Sequence, residues 1–479
     1  MSQDIFIFAA VRRKNKNIVL QRVLVESYAA EGKSLARVDG KVIFIENVVP
    51  GDVVDVKLSK NKKDWAEGFV TAWHQYSSDR IEPFCQHFGV CGGCRWQMLP
   101  YSRQLEYKQQ QVMDNLRRIG KVQLPEIPPI LGAEQTIRYR NKIEYTFSSR
   151  RFLLPGELNN PDITPEQNVA GFHAKGIFDK VVDIGTCYLQ EEPTNQLRLA
   201  VKDFAISRNL PFYDIKSHQG WLRTMQVRIC TTGEIMVNIV FGYEDEPART
   251  ALQEHILRQF PGLTTLLYTI NPKWNDSLSD LEPRIAHGKG YVIEKLEDFR
   301  FKVGPKSFFQ TNTRQGERLY QVTREFAELT GAQTVYDLYC GTGSIGIFLS
   351  RLAARIIGVE VIPEAIEDAR ENAALNNLRH ARFFAGDVID ICNDAFFAAE
   401  GKPDVIITDP PRAGMHEKLV RKILDMEAPT VVYVSCNPAT QARDLQLLDE
   451  KYVVTKVQPV DMFPHTHHIE NIVQLKKRG

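Results

Sequence analysis

The sequence predicts an α/β protein whose C-terminal third is an open parallel sheet with helices on its faces, preceded by a small β-rich barrel and a mixed α+β segment. Three observations lead there. Residues 334–346, Thr-Val-Tyr-Asp-Leu-Tyr-Cys-Gly-Thr-Gly-Ser-Ile-Gly, run from an apolar strand pattern through a glycine-rich turn into a helical pattern. Three further apolar runs, residues 355–360, 382–387 and 404–409, each end in an acid and are separated by helical stretches. Upstream, residues 17–75 alternate five short β patterns with turn signals.

The glycine-rich turn sets the chemistry of the sheet edge. Gly341 and Gly343 allow positive φ and close backbone approach to a ligand, and the helix start offers unpaired N–H groups. Gly341, Gly343 and Gly346 also fit G-x-G-x-x-G, which by itself suggests a dinucleotide. Glu360, at the end of the second strand, is placed to accept hydrogen bonds from two ribose hydroxyls. Two features are not those of dinucleotide sites: Asp337 ahead of the first glycine, and Asp409-Pro410-Pro411 closing the fourth strand. Together these residues resemble the Rossmann-like S-adenosylmethionine-dependent methyltransferase fold, with S-adenosylmethionine as the implied cofactor.

Composition bounds the rest. A chain of 479 residues holds two to four domains. Its 43% hydrophobic and 25% charged residues are those of ordinary soluble globular protein. A formal net charge of +1 excludes polycationic behaviour, so nucleic-acid binding must rest on local patches. One candidate is residues 95–151, with eleven Lys/Arg against five Asp/Glu, for which a solvated face is the plainer reading. No apolar run approaches the roughly 20 residues that span a bilayer. Near the N-terminus the apolar residues 5–11 precede the basic residues 12–16, the reverse of a secretory signal. A cytoplasmic location without membrane association is expected, where clustered cysteines point to metal or catalysis rather than disulfides.

Taken in order, the chain divides at 1–75, 76–303 and 304–479. In the first segment, strand patterns at 18–25, 36–38, 42–45, 53–58 and 68–73, with turns at Asp39-Gly40 and Pro50-Gly51-Asp52, suggest a small closed barrel of the OB type. Residues 32–37 (Gly-Lys-Ser-Leu-Ala-Arg) and Pro50-Gly51-Asp52 resemble the RNA-binding TRAM domain. Next come Cys85, Cys91 and Cys94, spaced C-x5-C-x2-C; a fourth ligand is required, and Cys187 is the best candidate. The spacing favours an iron–sulfur cluster over zinc, which usually takes two CxxC pairs, and buried free thiols are the remaining reading. A structural or RNA-recognition role is expected for the cluster rather than a redox one. Residues 101–120 have helical spacing; strand-like runs at 142–148, 225–230, 235–240 and 264–270 suggest an α+β central domain, with a loop at 159–167. Gln310, just ahead of a helical pattern at 313–329, is either a cofactor hydrogen-bond partner or a helix cap.

The reactive groups follow the sheet. After a fifth strand pattern at 431–435 stands Cys436-Asn437-Pro438, a thiol on the ligand edge beside the Asp409–Arg412 turn. A thiolate there can act as a carbon nucleophile. Pyrimidine C5 becomes nucleophilic once a thiolate has added at C6; the C5 proton must then be removed, so a general base is required. Glu470, on the last strand pattern, is the candidate. His465, His467 and His468 lack partners that would complete a metal site and are expected to support the site or contact RNA. Cys340, Cys230 and Cys392 are read as packing residues.

The four cysteines, Phe309-Gln310-Thr311-Asn312, the glycine loop from Asp337, Asp409-Pro410-Pro411-Arg412, Ser435-Cys436-Asn437-Pro438 and His468-Ile469-Glu470 occur in one order that resembles the RNA 5-methyluridine methyltransferase family, in particular its TRAM- and iron–sulfur-containing 23S ribosomal RNA branch. The resemblance covers essentially the whole chain. It implies a [4Fe-4S] cluster on Cys85, Cys91, Cys94 and Cys187, and cofactor contacts from Gln310, Asp337, Tyr339, Gly341, Ser344, Glu360, Asp387 and Asp409. It implies Cys436 as nucleophile and Glu470 as base, and an RNA substrate: 23S ribosomal RNA, with the transfer-RNA T-loop uridine as the alternative. No obligate protein partner is evident. Tyr339 and Ser344 depart from the Phe and Asn common in that branch, although Tyr still stacks and Ser still hydrogen-bonds. An exocyclic amino-methyltransferase would carry an aromatic residue where Arg412 stands and needs no thiol. A 5-methylcytosine enzyme would carry its thiol at that position. A non-catalytic RNA-binding assembly factor is the alternative from another class.

Overall fold

A computed structural model describes residues 18–29, 32–158 and 160–479. The N-terminal residues 5–16 and Asn159, at the start of the expected loop, lie outside the described residues. The described residues up to Glu82, with Met98–Pro100, form one compact unit; Pro83–Gln97 and Tyr101–Gly479 form the other.

The first unit is a six-stranded sheet in the order Val19–Leu24, Val53–Asn61, Trp65–Gln75, Lys41–Ile45, Ser34–Val38, Ser27–Tyr28. The alternation read from the sequence is the alternation of burial. Val23, Ala36, Ile43, Ile45, Val54, Val56 and Ala66 point into one core from five different strands. The two-residue strand Ser27–Tyr28 was not expected. It is too short to carry a period, and it exists because it pairs with Leu35 and Ser34. The expected closure is not a continuous ladder: among the described residues the first and last strands of the sheet do not pair with each other.

The second unit carries two seven-stranded sheets. The upstream one runs Arg284–Gly288, Thr265–Ile270, Ile235–Phe241, Leu222–Ile229, Lys142–Ser148, Val169–His173, Val181–Asp183. It is antiparallel except where Ile235–Phe241 meets Thr265–Ile270. Its apolar face, with Tyr145, Phe147, Val227 and Ile239, packs on helices Thr194–Ser207 and Glu246–Gln259 through Leu197, Val201, Leu252 and Ile256.

The downstream sheet positions the site. Its order is Ala381–Ala385, Arg355–Glu360, Thr334–Leu338, Val405–Thr408, Thr430–Ser435, Glu470–Lys477, Tyr452–Val460. The first five strands are parallel, and Glu470–Lys477 inserts antiparallel between Thr430–Ser435 and Tyr452–Val460. The parallel strands inside the edge strand Ala381–Ala385 are apolar on both faces and buried between two layers, which is why they read as continuous runs rather than alternations. Strand order reverses between Thr334–Leu338 and Val405–Thr408. Such a reversal is the usual ligand position at the carboxyl ends of strands in open sheets. Because Glu470–Lys477 runs the other way, its first residue lies on that same edge.

Candidate active site at the carboxyl edge of the sheet

Asp337 is buried on the central strand, and its Oδ2 accepts a hydrogen bond from the Gly346 amide at 2.8 Å. A side chain at Gly346 would meet Ile356 Cγ2 at 2.9 Å and Asp337 Oδ2 at 3.0 Å, so only glycine lets the helix come this close. The turn between is left-handed at Tyr339 (φ 62°), Gly341 (φ 51°) and Gly343 (φ 76°). It faces Glu360, whose Oε2 accepts from Gly341 N (3.2 Å) and Oε1 from Ile362 N (3.1 Å). Each oxygen keeps a lone pair for a further donor. Asp387 is exposed and caps the helix Val388–Ile391, accepting from Ile389 N at 2.8 Å. The Ser344 hydroxyl sits 2.9 Å from that of Tyr320. Tyr320 is a partner that no sequence motif marks. Gln310 is buried, and the cap of the helix Thr313–Ala327 is Asn312, not Gln310. The Gln310 amide is thus free of the capping role.

The reactive edge is tied down by short polar turns. Asn437 caps the helix Pro438–Leu448 through Ala439 N (3.1 Å), and its Nδ2 donates to Arg412 O (3.1 Å). Thr440 Oγ1 donates to the same carbonyl at 3.2 Å, so the Asp409–Arg412 turn is sewn to the turn carrying Cys436. Ser435 pairs with Asn471 across the sheet, which sets Cys436 beside Glu470. Glu470 is buried, not the surface carboxylate its charge would suggest.

The electrostatics single out this edge. Burial, then the Asp409 and Glu360 charges, raise the Asp337 carboxyl to about 7 despite the Gly346 hydrogen bond. Burial alone brings Asp409 to about 7. Burial and then Asp409 push Glu470 well above the usual carboxylate range, with Arg412 opposing. The Cys436 thiol is raised to about 11 by burial, then by Glu470 and Asp409, and Arg412 again opposes. Among the described residues, Arg412, which acts on Glu470, is the one cation that opposes the shifts of these three buried acids, and Asp337 Oδ1 has no hydrogen-bond partner. That environment suits a cofactor bearing an ammonium and a sulfonium group. The residues present therefore fit S-adenosylmethionine.

Residues 461–469 connect the last two strands. Burial holds His465 and His467 down to about 4 and His468 to about 3, so all three are neutral near pH 7. They bring no positive charge to RNA; His468 instead accepts from Arg412 Nη2 at 3.2 Å. The basic segment also shrinks. Lys108 is fully buried in an ion pair with Asp461 (2.6 Å), Arg150 pairs with Asp214 (2.9 Å), and Arg151 is paired with Glu157. Arg117, Arg118 and Arg138 remain exposed.

Cys85, Cys91, Cys94 and Cys187 are near enough to raise one another's thiols. Burial brings Cys94 to about 12 and Cys187 to about 11, with the other thiols adding to the shift. The Gly93 amide points at Cys91 Sγ (3.5 Å), and Asn195 brackets the Cys187 backbone (2.8 and 3.1 Å). Among the described residues no group of three or more His, Cys, Asp or Glu is drawn together tightly enough to hold a metal ion as it stands. The cluster expected from the sequence is therefore not displayed as a formed site, although the four-thiol donor set is chemically apt for one. Cys340, Cys230 and Cys392 are buried in the cores, as read from the sequence. No helix among the described residues is long and apolar enough to cross a membrane.

A sequence model described as tRNA (Uracil-5-)-methyltransferase matches residues 281–478, and the TRAM domain matches residues 20–71. An uncharacterized RNA methyltransferase of Bacteroides thetaiotaomicron is 52% identical over 94% of this chain and 100% of its own. Another, of Porphyromonas gingivalis, is 48% identical over 94% of this chain and 98% of its own. The Pyrococcus abyssi tRNA (uracil-54, C5)-methyltransferase, solved with S-adenosyl-L-homocysteine, aligns with a TM-score of 0.73 at 27% identity, covering 95% of this chain and 100% of that one. Fold and site thus define an S-adenosylmethionine-dependent RNA methyltransferase. The chain belongs to the RNA uracil-5-methyltransferase family, in the form that carries an N-terminal TRAM domain.

Proposed function

We propose that the protein methylates C5 of a specific uridine in 23S ribosomal RNA, with Cys436 as nucleophile and Glu470 as base. The observation that carries this reading is the pairing of Ser435 with Asn471, beside which a half-buried thiol and a buried carboxylate share one edge with Asp409. S-adenosylmethionine, when bound, supplies the methyl group and a positive charge. Gln310, Asp337, Tyr339, Gly341, Ser344, Glu360, Asp387 and Asp409 are the residues proposed to hold it. Cys436, partly open to solvent, gives its proton to water as its sulfur bonds to uracil C6, and the C5=C6 electrons make C5 nucleophilic toward the methyl group that a bound S-adenosylmethionine would supply. Glu470 then takes the C5 proton, the electrons of that bond restore C5=C6, and Cys436 leaves as thiolate. A carboxyl raised by burial is better matched to this proton transfer than an ordinary one.

Residues 1–75 are proposed as the RNA-gripping barrel, 76–303 as the central domain and 304–479 as the catalytic domain of a cytoplasmic enzyme. Cys85, Cys91, Cys94 and Cys187 would hold a [4Fe-4S] cluster with a structural or RNA-recognition role. Transfer RNA is the second candidate substrate, because the structural relative from Pyrococcus abyssi acts on it. The test is a denaturing gel of protein with cofactor and 5-fluorouridine-containing ribosomal RNA fragments or transfer RNA. Fluorine cannot leave as a proton, so a shifted band is expected that Cys436→Ala abolishes, and the RNA that gives it names the substrate. No band with either RNA, on cofactor-binding protein, would overturn the thiol reading.

A further inference from the structure

The connection that delivers Glu470 to the edge is clamped by the cysteine loop, and one side chain joins the two. Gln104, wholly buried on the helix Tyr101–Asn115, faces both. Its Nε2 donates to Trp96 O at 3.0 Å, two residues beyond Cys94, and lies 3.1 Å from His465 Nδ1. Its Oε1 accepts from His465 N at 2.8 Å. The clasp closes from the other side: Arg95 N and Trp96 N both donate to His465 O, at 2.7 and 3.1 Å. His465 itself sits in the left-handed region (φ 64°), with its ring edge-on to Phe84 at 5.1 Å. A non-glycine residue stays there only where its surroundings over-determine it.

Three residues further on, His468 meets Arg412 at 3.2 Å. Arg412 is the cation that bears on both Cys436 and Glu470. The cysteine loop, Gln104 and His465 are thus in contact, and three residues of chain carry that hold from His465 to the His468–Arg412 contact beside the reactive pair. Helix and cysteine loop are neighbours in sequence, eight residues from Trp96 to Gln104, but the catalytic hairpin lies 361 positions from Gln104, so the clasp joins two distant segments.

We propose that Gln104 and His465 are positioning residues for proton removal, holding residues 461–469 so that Arg412 and Glu470 keep their places beside Cys436. The inference rests on the mechanism proposed above, and the order of its steps supplies a specific readout. Addition of Cys436 and methyl transfer precede removal of the C5 proton. A loosened clasp slows the last step, so the methylated uracil stays bonded to Cys436. With ordinary uridine RNA the protein–RNA adduct then builds up, which a simple loss of folded protein cannot produce.

The experiment uses the full chain with cofactor. Gln104→Met keeps the buried volume and deletes the hydrogen bonds. His465→Gly keeps the left-handed backbone and its carbonyl while deleting the ring; it serves as the second probe if Gln104→Met does not fold. Turnover is expected to fall roughly 10- to 100-fold in either variant, the scale of a small misplacement of reacting groups. KM for RNA should fall together with kcat, leaving kcat/KM within about twofold of wild type, because slowing a step after adduct formation lowers both in proportion. A denaturing gel should show adduct with unmodified RNA, while trapping by 5-fluorouridine RNA stays at the wild-type level. Wild-type turnover, or lost turnover with no adduct on ordinary RNA, overturns the inference. Failure of the wild type itself to trap fluorinated RNA sinks the underlying mechanism, and this inference with it.

Discussion

The two edges of the downstream sheet treat their acids in opposite ways. At the carboxyl edge Asp337, Asp409 and Glu470 are shut away from water and pushed up. At the opposite edge Glu328 and Glu427 are open to solvent and each takes two lysines: Lys456 and Lys476 (2.7 and 2.6 Å), and Lys451 and Lys477 (2.7 and 2.9 Å). Hydrogen bonds from those lysines hold both glutamates down to about 2. One strand joins the two regimes, since Glu470 begins it and Lys476 and Lys477 end it. Seven steps of about 3.4 Å, roughly 24 Å, separate an acid pushed up by burial from acids held down by lysines. The two edges thus differ in whether their carboxylates are given cationic partners.

Replacing Glu470 should break the reactive edge most severely. Glu470→Gln keeps shape and removes the proposed base, so turnover should fall by about 10²–10⁴-fold. Adduct with ordinary uridine RNA should accumulate on gels, calibrating the milder effect expected from Gln104. A variant that turns over within tenfold of wild type would move the base elsewhere. Next in size is a pH effect on the cofactor. Asp337 and Asp409, raised to about 7, are largely protonated at pH 6 in the empty site. A bound cation favours their charged forms, so binding must release protons there. Affinity for S-adenosylmethionine should therefore rise with pH, on the order of tenfold per carboxylate between pH 6 and 8, and level off above. Calorimetry in buffers of different ionisation heat would count the protons. Binding that is flat with pH would mean that these acids are charged before the cofactor arrives. The same groups, raised in the folded state, stabilise the empty protein most below their unfolded values near 4. They cease to do so as pH climbs through 7.

How much of this was legible depends on what fixes each residue. The acids and glycines of the carboxyl edge could be read because strand ends are set by period and turn chemistry. Asp337 must precede Gly341, and Cys436 must follow Ser435, whatever the rest of the chain does. Strand patterns at 142–148 and 235–240 fall on Lys142–Ser148 and Ile235–Phe241 for the same reason. Contacts between distant segments carry no such signal. Lys108 counts as surface charge in a helical pattern, yet its partner Asp461 lies 353 positions away and both are fully buried. Gln104 looks like one of several glutamines on that helix, and its depth follows only from where the helix lands. Tyr320 gives no sign of reaching Ser344, because the helix carrying it is amphipathic with or without that hydrogen bond. The strand Tyr452–Val460 gives no clear pattern because polar Thr455, Lys456 and Gln458 interrupt its apolar run. Its pairing with Glu470–Lys477 decides it.

The smallest expected effect sharpens the contrast from the structural edge. Glu427→Gln removes the acid that Lys451 and Lys477 share, at the end of the sheet far from Cys436. Turnover on RNA should stay within about twofold of wild type, as for surface changes away from a site. Stability should change in one pH window only. A carboxylate held down to about 2 contributes above its ordinary value of 4.5, and that contribution is lost as pH falls between the two. Wild type should therefore lose stability more steeply than Glu427→Gln from about pH 4.5 downward, and the two urea midpoints should converge near pH 2. The gap at pH 7 should be small, because solvent and salt screen an exposed pair, and 0.5 M salt should narrow it further. A variant whose midpoint tracked wild type at every pH would show that these lysines hold Glu427 no better in the folded chain than in the unfolded one. The two edges would then differ in burial alone.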